Sequence, residues 1–307
     1  MTHIKLGTRG SDLALTQSRW VAAQIEEAHP DSKVEIVVIK TRGDRDQKSA
    51  LNKFAGKGIF TKEIEEALLA GEIDLAVHSL KDLPTTLPPG LALADPPRRE
   101  DPRDLLVANT PVKELPEGTL VGTGSARRRE QLRMLRPDLK FDEIRGNVAT
   151  RVGKWRNGQY GATVLACAGV KRLGHERAGL SDNEAHPLDY SECLPAPGQG
   201  ILGLEIREND QKMREFLKGI VCRDTVIACA AERGFLAELD GGCHIPAGAH
   251  ARVQGDQLTV QGFLARENEQ GNLVGQRAEL SGPVAEADGL GRELARRLKQ
   301  GQPHTTA

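Results

Sequence analysis

Aromatic side chains are scarce in this chain. Phe, Trp and Tyr together make up only 3% of its 307 residues. The cores must therefore be filled by aliphatic groups. An excess of one charge sign is missing too. The net charge of −1 argues against a general nucleic-acid or membrane-surface protein. No window reaches the ~18 apolar residues of a membrane span. The opening Met1-Thr2-His3-Ile4-Lys5-Leu6 lacks the apolar stretch of a signal peptide. Cys167, Cys193, Cys222, Cys229 and Cys243 are odd in number and have no C-x-x-C spacing. Without an export signal they read as free thiols in a reducing cytoplasm.

The length suits two or three domains, and a hydrophobic content of 38% supports real cores. The first ~95 residues alternate strand and helix. Strands are expected at 4–8, 34–39 and 74–78, and helices at 11–28 and 60–69, the first capped by Ser11. Such alternation predicts a mainly parallel sheet flanked by helices. Pro96-Pro97 and Asp101-Pro102 mark a boundary near residue 100. A second α/β unit follows, with strands at 104–108, 120–123, 141–145 and 163–166 and helices at 126–135 and 148–156. The stretch 194–200 is hinge-like, and a strand at 201–206 can rejoin the first unit. A helix-rich link, 211–239, leads to a C-terminal α+β segment with antiparallel strands at 258–265 and 273–280 and a helix at 286–299.

Arginine outnumbers lysine 27 to 15, and it suits a planar, bidentate grip on carboxylate or phosphate. Basic, glycine-rich stretches recur at strand-to-helix junctions: Thr8-Arg9-Gly10-Ser11, Thr41-Arg42-Gly43-Asp44, Lys53 to Gly58, Gly122 to Arg129, and Arg145-Gly146-Asn147 with Arg151 one turn on. Backbone N–H groups at helix starts form anion sites, and adjacent arginines add charge. Each stretch alone is weak, because a solvated arginine on a helix is commonplace. Together they predict an anionic ligand between two domains.

Two further motifs carry reactive groups. Leu239-Asp240-Gly241-Gly242-Cys243-His244-Ile245-Pro246 presents a cysteine on a tight loop after a long helical pattern. A thiolate is a nucleophile, so a covalent bond at Cys243 is one reading and an inert core thiol the other. Zinc is a poor alternative, because no second cysteine has ligand spacing. His78-Ser79-Leu80-Lys81-Asp82-Leu83-Pro84 ends an apolar strand on a lysine and an aspartate. Strand ends in open α/β sheets face the ligand crevice. There Asp82 can steady a cation or manage protons, or else Lys81 and Asp82 form a structural turn.

The stretches just quoted, with Gly56 to Glu63, Arg99 to Asp104, Ala168 to Gly174 and Pro195 to Gly200, resemble the porphobilinogen deaminase (hydroxymethylbilane synthase) family over nearly the whole chain. The resemblance implies an α/β fold of two periplasmic-binding-protein-like lobes plus a C-terminal α+β domain. The implied domains are 1–98 with 199–218, 103–194, and 222–307. It implies a transferase that joins four porphobilinogen molecules head to tail, releasing ammonia, to give hydroxymethylbilane. The implied primer is a dipyrromethane cofactor held by a thioether to Cys243. Asp82 would be catalytic and would touch the cofactor with Lys81, Arg127 and Arg128. Arg9, Ser11, Lys53, Lys57, Arg145, Arg151 and Arg172 would bind substrate carboxylates. No metal, nucleic acid or membrane is implied. A cytoplasmic monomer with hinged lobes is expected, in transient contact with the downstream uroporphyrinogen-III synthase. Gly124, Ala55 and Pro197 depart from the family's frequent serine, glycine and apolar residue, which bears on ligand contacts rather than on the reaction. Two rival readings are a non-catalytic anion-binding protein of the same fold and a cysteine hydrolase or redox sensor. The first leaves the Cys243 loop idle, and the second requires a free Cys243 thiol that an alkylating reagent would hit, where a thioether would resist it.

Overall fold

The structure is a computed structural model that describes residues 2–41, 61–239, 245–267 and 273–301. Along the chain, β1 (Thr2–Thr8), α1 (Asp12–Ala28), β2 (Ser32–Val38), α2 (Lys62–Leu69), β3 (Leu75–Ser79), a 3-10 turn (Leu80–Asp82) and β4 (Leu91–Ala94) come first. Then follow β5 (Asp104–Val107), β6 (Leu120–Gly122), α3 (Ala126–Leu135), β7 (Lys140–Asp142), α4 (Val148–Arg156), β8 (Ala162–Ala166), α5 (Cys167–Leu173), α6 (His175–Ala178) and β9 (Ala185–Pro187). The last stretch holds β10 (Leu202–Arg207), α7 (Gln211–Leu217), α8 (Arg223–Glu238), β11 (Ala247–Gln254), β12 (Gln257–Glu267), β13 (Leu273–Pro283) and α9 (Ala287–Gln300). The chain falls into two compact units, Met1–Arg99 with Ile201–Val226 and Glu100–Gly200 with Ile227–Ala307.

The first unit holds a sheet of order β2-β1-β3-β10-β4. Here β1 runs parallel to β2 and β3, while β10 runs antiparallel to β3 and β4. The strand after residue 200 does rejoin the first unit, but it enters reversed, so the sheet is mixed. Ile4, Leu6, Leu75, Val77, Leu202 and Leu204 bury one face against Val21 and Ile25 of α1. Ile64 and Leu68 of α2 cover Ala76 on the other face. Burial on both faces explains the near-continuous apolar runs of these strands.

The second unit repeats the pattern. Its sheet has the order β7-β6-β8-β5-β9, with β6 parallel to β7 and β8 and the reversed strand β5 between β8 and β9. Each sheet is thus a parallel trio, one reversed strand and an edge strand. That shared topology defines two lobes of the periplasmic-binding-protein type. Leu106, Val121 and Val164 pack on one face of the second sheet, and Leu105, Val107 and Trp155 on the other. The C-terminal segment of this unit is the antiparallel sheet β11-β12-β13. Phe235 of α8 and Leu294 and Leu298 of α9 seal its inner face against Leu258 and Val260.

Candidate active site

In the first unit the carboxyl ends of β1 and β3 lie side by side, because the two strands pair in parallel. Such adjacent strand ends are where open α/β sheets bind ligands. The loop after β1 carries Arg9, half-buried, and Ser11, whose Oγ accepts the N–H of Ala14 at 3.3 Å and caps α1. The 3-10 turn after β3 carries Lys81, half-buried, and Asp82, exposed. Gln17 Nε2 donates to Ser79 Oγ at 3.0 Å, and Leu80 N–H to Ile201 O at 3.0 Å, so this turn is fastened on both sides. No described residue hydrogen-bonds to or pairs with the Asp82 carboxylate, which is left to face solvent or a ligand. Asp82 caps no following helix, since the turn ends there and Leu83 is extended.

The second unit gathers its own cations on the same kind of edge. Ser125 Oγ accepts the Arg128 N–H at 3.4 Å and starts α3, and Asn147 Oδ1 accepts the Thr150 N–H at 2.8 Å and starts α4. Gly146, at φ +116°, makes the turn that places Asn147 as a cap. Arg145 is half-buried, with its guanidinium on Glu143 Oε1 at 2.8 Å. Arg151 Nε donates to Gly146 O at 2.8 Å. Arg172 of α5 donates to Gly200 O at 2.8 Å and forms no ion pair among the described residues. Burial pulls its guanidinium down to about 10. A desolvated cation of this kind favours an arriving carboxylate.

Arg127 and Arg128 behave differently from solvated surface arginines. Both are buried, and both grip the fully buried Asp104. Arg127 Nη1 reaches Asp104 Oδ2 at 2.5 Å and Leu194 O at 2.5 Å. Arg128 Nη2 reaches Asp104 Oδ1 at 2.7 Å, and its Nη1 reaches Val164 O at 2.7 Å. Burial alone would raise the Asp104 carboxyl, but the two guanidiniums outweigh it and hold the group far below the usual carboxylate range. Two cations share one anion, so the cluster carries an excess positive charge that a ligand carboxylate can neutralise. Asp104 was not a sequence candidate. It sits 23 and 24 residues from its partners, a separation that no local spacing reveals.

Cys243, Lys53 and Lys57 lie outside the described residues. Burial pushes the Cys167 and Cys193 thiols up to about 12, which leaves both unreactive near neutrality. Among the described residues no group of three or more His, Cys, Asp or Glu side chains could hold a metal, and no helix is long and apolar enough to cross a membrane.

Two like-wound α/β lobes with cations at their strand ends, extended by a C-terminal α+β segment, define the class of this chain by its fold. Comparison with known sequences narrows the class. Residues 4–215 match the family described as "Porphobilinogen deaminase, dipyromethane cofactor binding domain", and residues 226–300 its C-terminal domain. The porphobilinogen deaminase of Syntrophomonas wolfei is 48% identical over 302 residues, covering 98% of this chain and 96% of the relative. That of Syntrophus aciditrophicus is 46% identical over 300 residues, covering 97% and 95%. Among solved structures, the second substrate-binding domain of Lactococcus lactis GlnP aligns with a TM-score of 0.44 and 11% identity, over 72% of this chain and 88% of that one. The chain belongs to the porphobilinogen deaminase family. It is accordingly a transferase of tetrapyrrole biosynthesis that joins porphobilinogen units into hydroxymethylbilane, with a dipyrromethane cofactor.

Proposed function

We propose that Asp82 is the catalytic carboxylate of this transferase and that Cys243 anchors its cofactor through a thioether. The single observation that carries the first assignment is the exposed carboxylate of Asp82, unpaired among the described residues, on a turn fastened at the end of β3. Loss of ammonia from porphobilinogen leaves an electron-poor pyrrole, and a fixed anion lowers the energy of that developing cation. The same carboxylate is placed to accept or return a pyrrole proton.

The donor set fits the cofactor and substrate. Each pyrrole ring carries an acetate and a propionate, so a growing chain accumulates carboxylates. Arg127, Arg128 and Lys81 would hold those of the dipyrromethane, which supplies a primer that stays attached when the product leaves. Arg9, Ser11, Lys53, Lys57, Arg145, Arg151 and Arg172 would take those of the substrate. Arg172 is the best prepared of the described ones, being desolvated and without an ion pair among the described residues. The working domains would be 1–98 with 199–218, 103–194, and 222–307. The enzyme would act as a cytoplasmic monomer and pass its unstable linear product to a cyclising synthase by transient contact.

Asp82→Asn keeps the side chain's size and removes its charge. It should leave the cofactor attached, as read by intact mass, and cut turnover by about 10²-fold or more. Turnover close to that of the unmodified enzyme would remove Asp82 from the mechanism.

A further inference from the structure

The Oδ1 atom of Asp104 is oversubscribed. It receives Arg127 Nη2 at 3.2 Å, Arg128 Nε at 3.0 Å, Arg128 Nη2 at 2.7 Å and Gln199 Nε2 at 3.0 Å. A carboxylate oxygen offers about two lone-pair directions, so these donors compete. Gln199 is almost fully buried, and its amide also donates to Pro102 O at 2.7 Å. Its chain neighbour is held as well. Gly198 N–H donates to Glu232 Oε2 at 2.7 Å, while Ala251 N–H takes the other Glu232 oxygen at 2.9 Å. The amide of Gln199 is therefore fixed against Asp104 from outside the arginine pair.

We infer that Gln199 is a positioning residue for the reaction, acting through Asp104. It shares Oδ1 with both guanidiniums and so limits how many of their donors Asp104 can satisfy. Guanidinium donors stay available to the carboxylate of a pyrrole ligand. The inference rests on the reading of Arg127 and Arg128 as ligand-binding residues. The ligand chemistry is a ring acetate or propionate, supplied either by the bound primer or by incoming substrate.

Two substitutions act on this link in different ways. Gln199→Leu removes the competing donor and lets the arginines settle on Asp104. Gln199→Glu adds a second carboxylate and cancels the cluster's excess positive charge. Protonation of the introduced carboxyl would restore a donor to Asp104. The charged and titratable groups around position 199 are Asp104, Arg127, Arg128, Cys193 and, through Gly198, Glu232. The Cys193 thiol, pushed up to about 12, stays silent near neutrality.

The test measures intact mass, KM and kcat on the full-length holoenzyme. With Gln199→Leu, a fall in the fraction carrying the cofactor mass indicates that the pair serves the primer. Full loading with KM raised roughly fivefold, about the worth of one hydrogen bond, and a smaller change in kcat indicates that it serves substrate. Full loading with unchanged KM overturns the inference. With Gln199→Glu, the ratio of kcat/KM to that of the unmodified enzyme should climb as pH falls, which a merely structural role would not produce. A flat ratio overturns the inference even if the leucine variant folds poorly. Arg128→Lys separates the two layers. If it keeps full loading and an unchanged KM, the reading of the arginine pair itself fails, and the link falls with it.

Discussion

At the residue scale, the first unit buries a set of ionisable groups outside the proposed site residues. His78 of β3 meets Glu205 of β10, Nε2 to Oε2 at 3.0 Å, with both side chains buried. The other Glu205 oxygen has no hydrogen-bond partner among the described residues. Nearby Glu65 of α2 has its pKa raised, first by burial and then by the charge of Glu205, against the opposing effects of Thr61 and His78. A carboxyl raised in the folded state favours folding below its ordinary value of 4.5, and that contribution is lost as pH rises through the folded value. At neutral pH the ionised Glu65 therefore costs stability. Glu65→Gln should raise the melting temperature at about pH 7 and gain less, or nothing, at about pH 4. Thermal melts at the two pH values check it, and an equal or reversed gain would contradict the assignment. Asp101 has the opposite sign. Burial would raise it, but Arg103 brings it down to about 2, so its contribution is lost only in acid. The His78–Glu205 pair was not legible in the sequence. Its members stand 127 residues apart and meet only because β10 returns to the first sheet.

At the scale of elements, the parts with a strong local signal were readable. Ser11 caps α1 as its position before an apolar, helix-periodic run suggests. The antiparallel pairing of β12 and β13 follows from two long strands separated by a short connection. The missed strands lacked that signal. β4 is only Leu91–Ala94 and alternates leucine with alanine. β9 ends on Pro187 and survives only as the edge strand of its sheet. β11, in Ala247–Gln254, contains four small residues and a single β-branched one. Its strand character comes from pairing along its whole length with β12. The reversed direction of β5 and β10 was likewise invisible, because strand direction is a property of the sheet. The approach of α8 to α9 gives a prediction at this scale. A Cβ on Gly291 would lie 1.9 Å from Ala231 O and 2.9 Å from Phe235 N, so glycine alone lets the two backbones come this close. Gly291→Ala must push the helices apart and should cost about 1–3 kcal/mol, seen as a lower denaturant midpoint. An unchanged midpoint would mean that the helices are not packed this closely.

At the scale of the whole molecule, the two sheets share one winding, and each presents cations at the carboxyl ends of its parallel strands. Arg9, Ser11 and Lys81 collect with Asp82 in one unit, and Arg127, Arg128, Arg145, Arg151 and Arg172 in the other. The sequence announced these junctions through glycine, serine and arginine at strand ends. It did not announce which arginines are solvated and which are locked to Asp104, because that depends on a buried acid brought in by β5. The proposed chemistry depends on one sulfur, that of Cys243, carrying a dipyrromethane primer through a stable thioether. Intact-mass measurement of freshly purified, active enzyme tests it most directly. The expected mass lies above that of the encoded chain by one dipyrromethane, and the excess is lost in Cys243→Ser along with activity. Active protein at its encoded mass, with the Cys243 thiol open to alkylation, would contradict it.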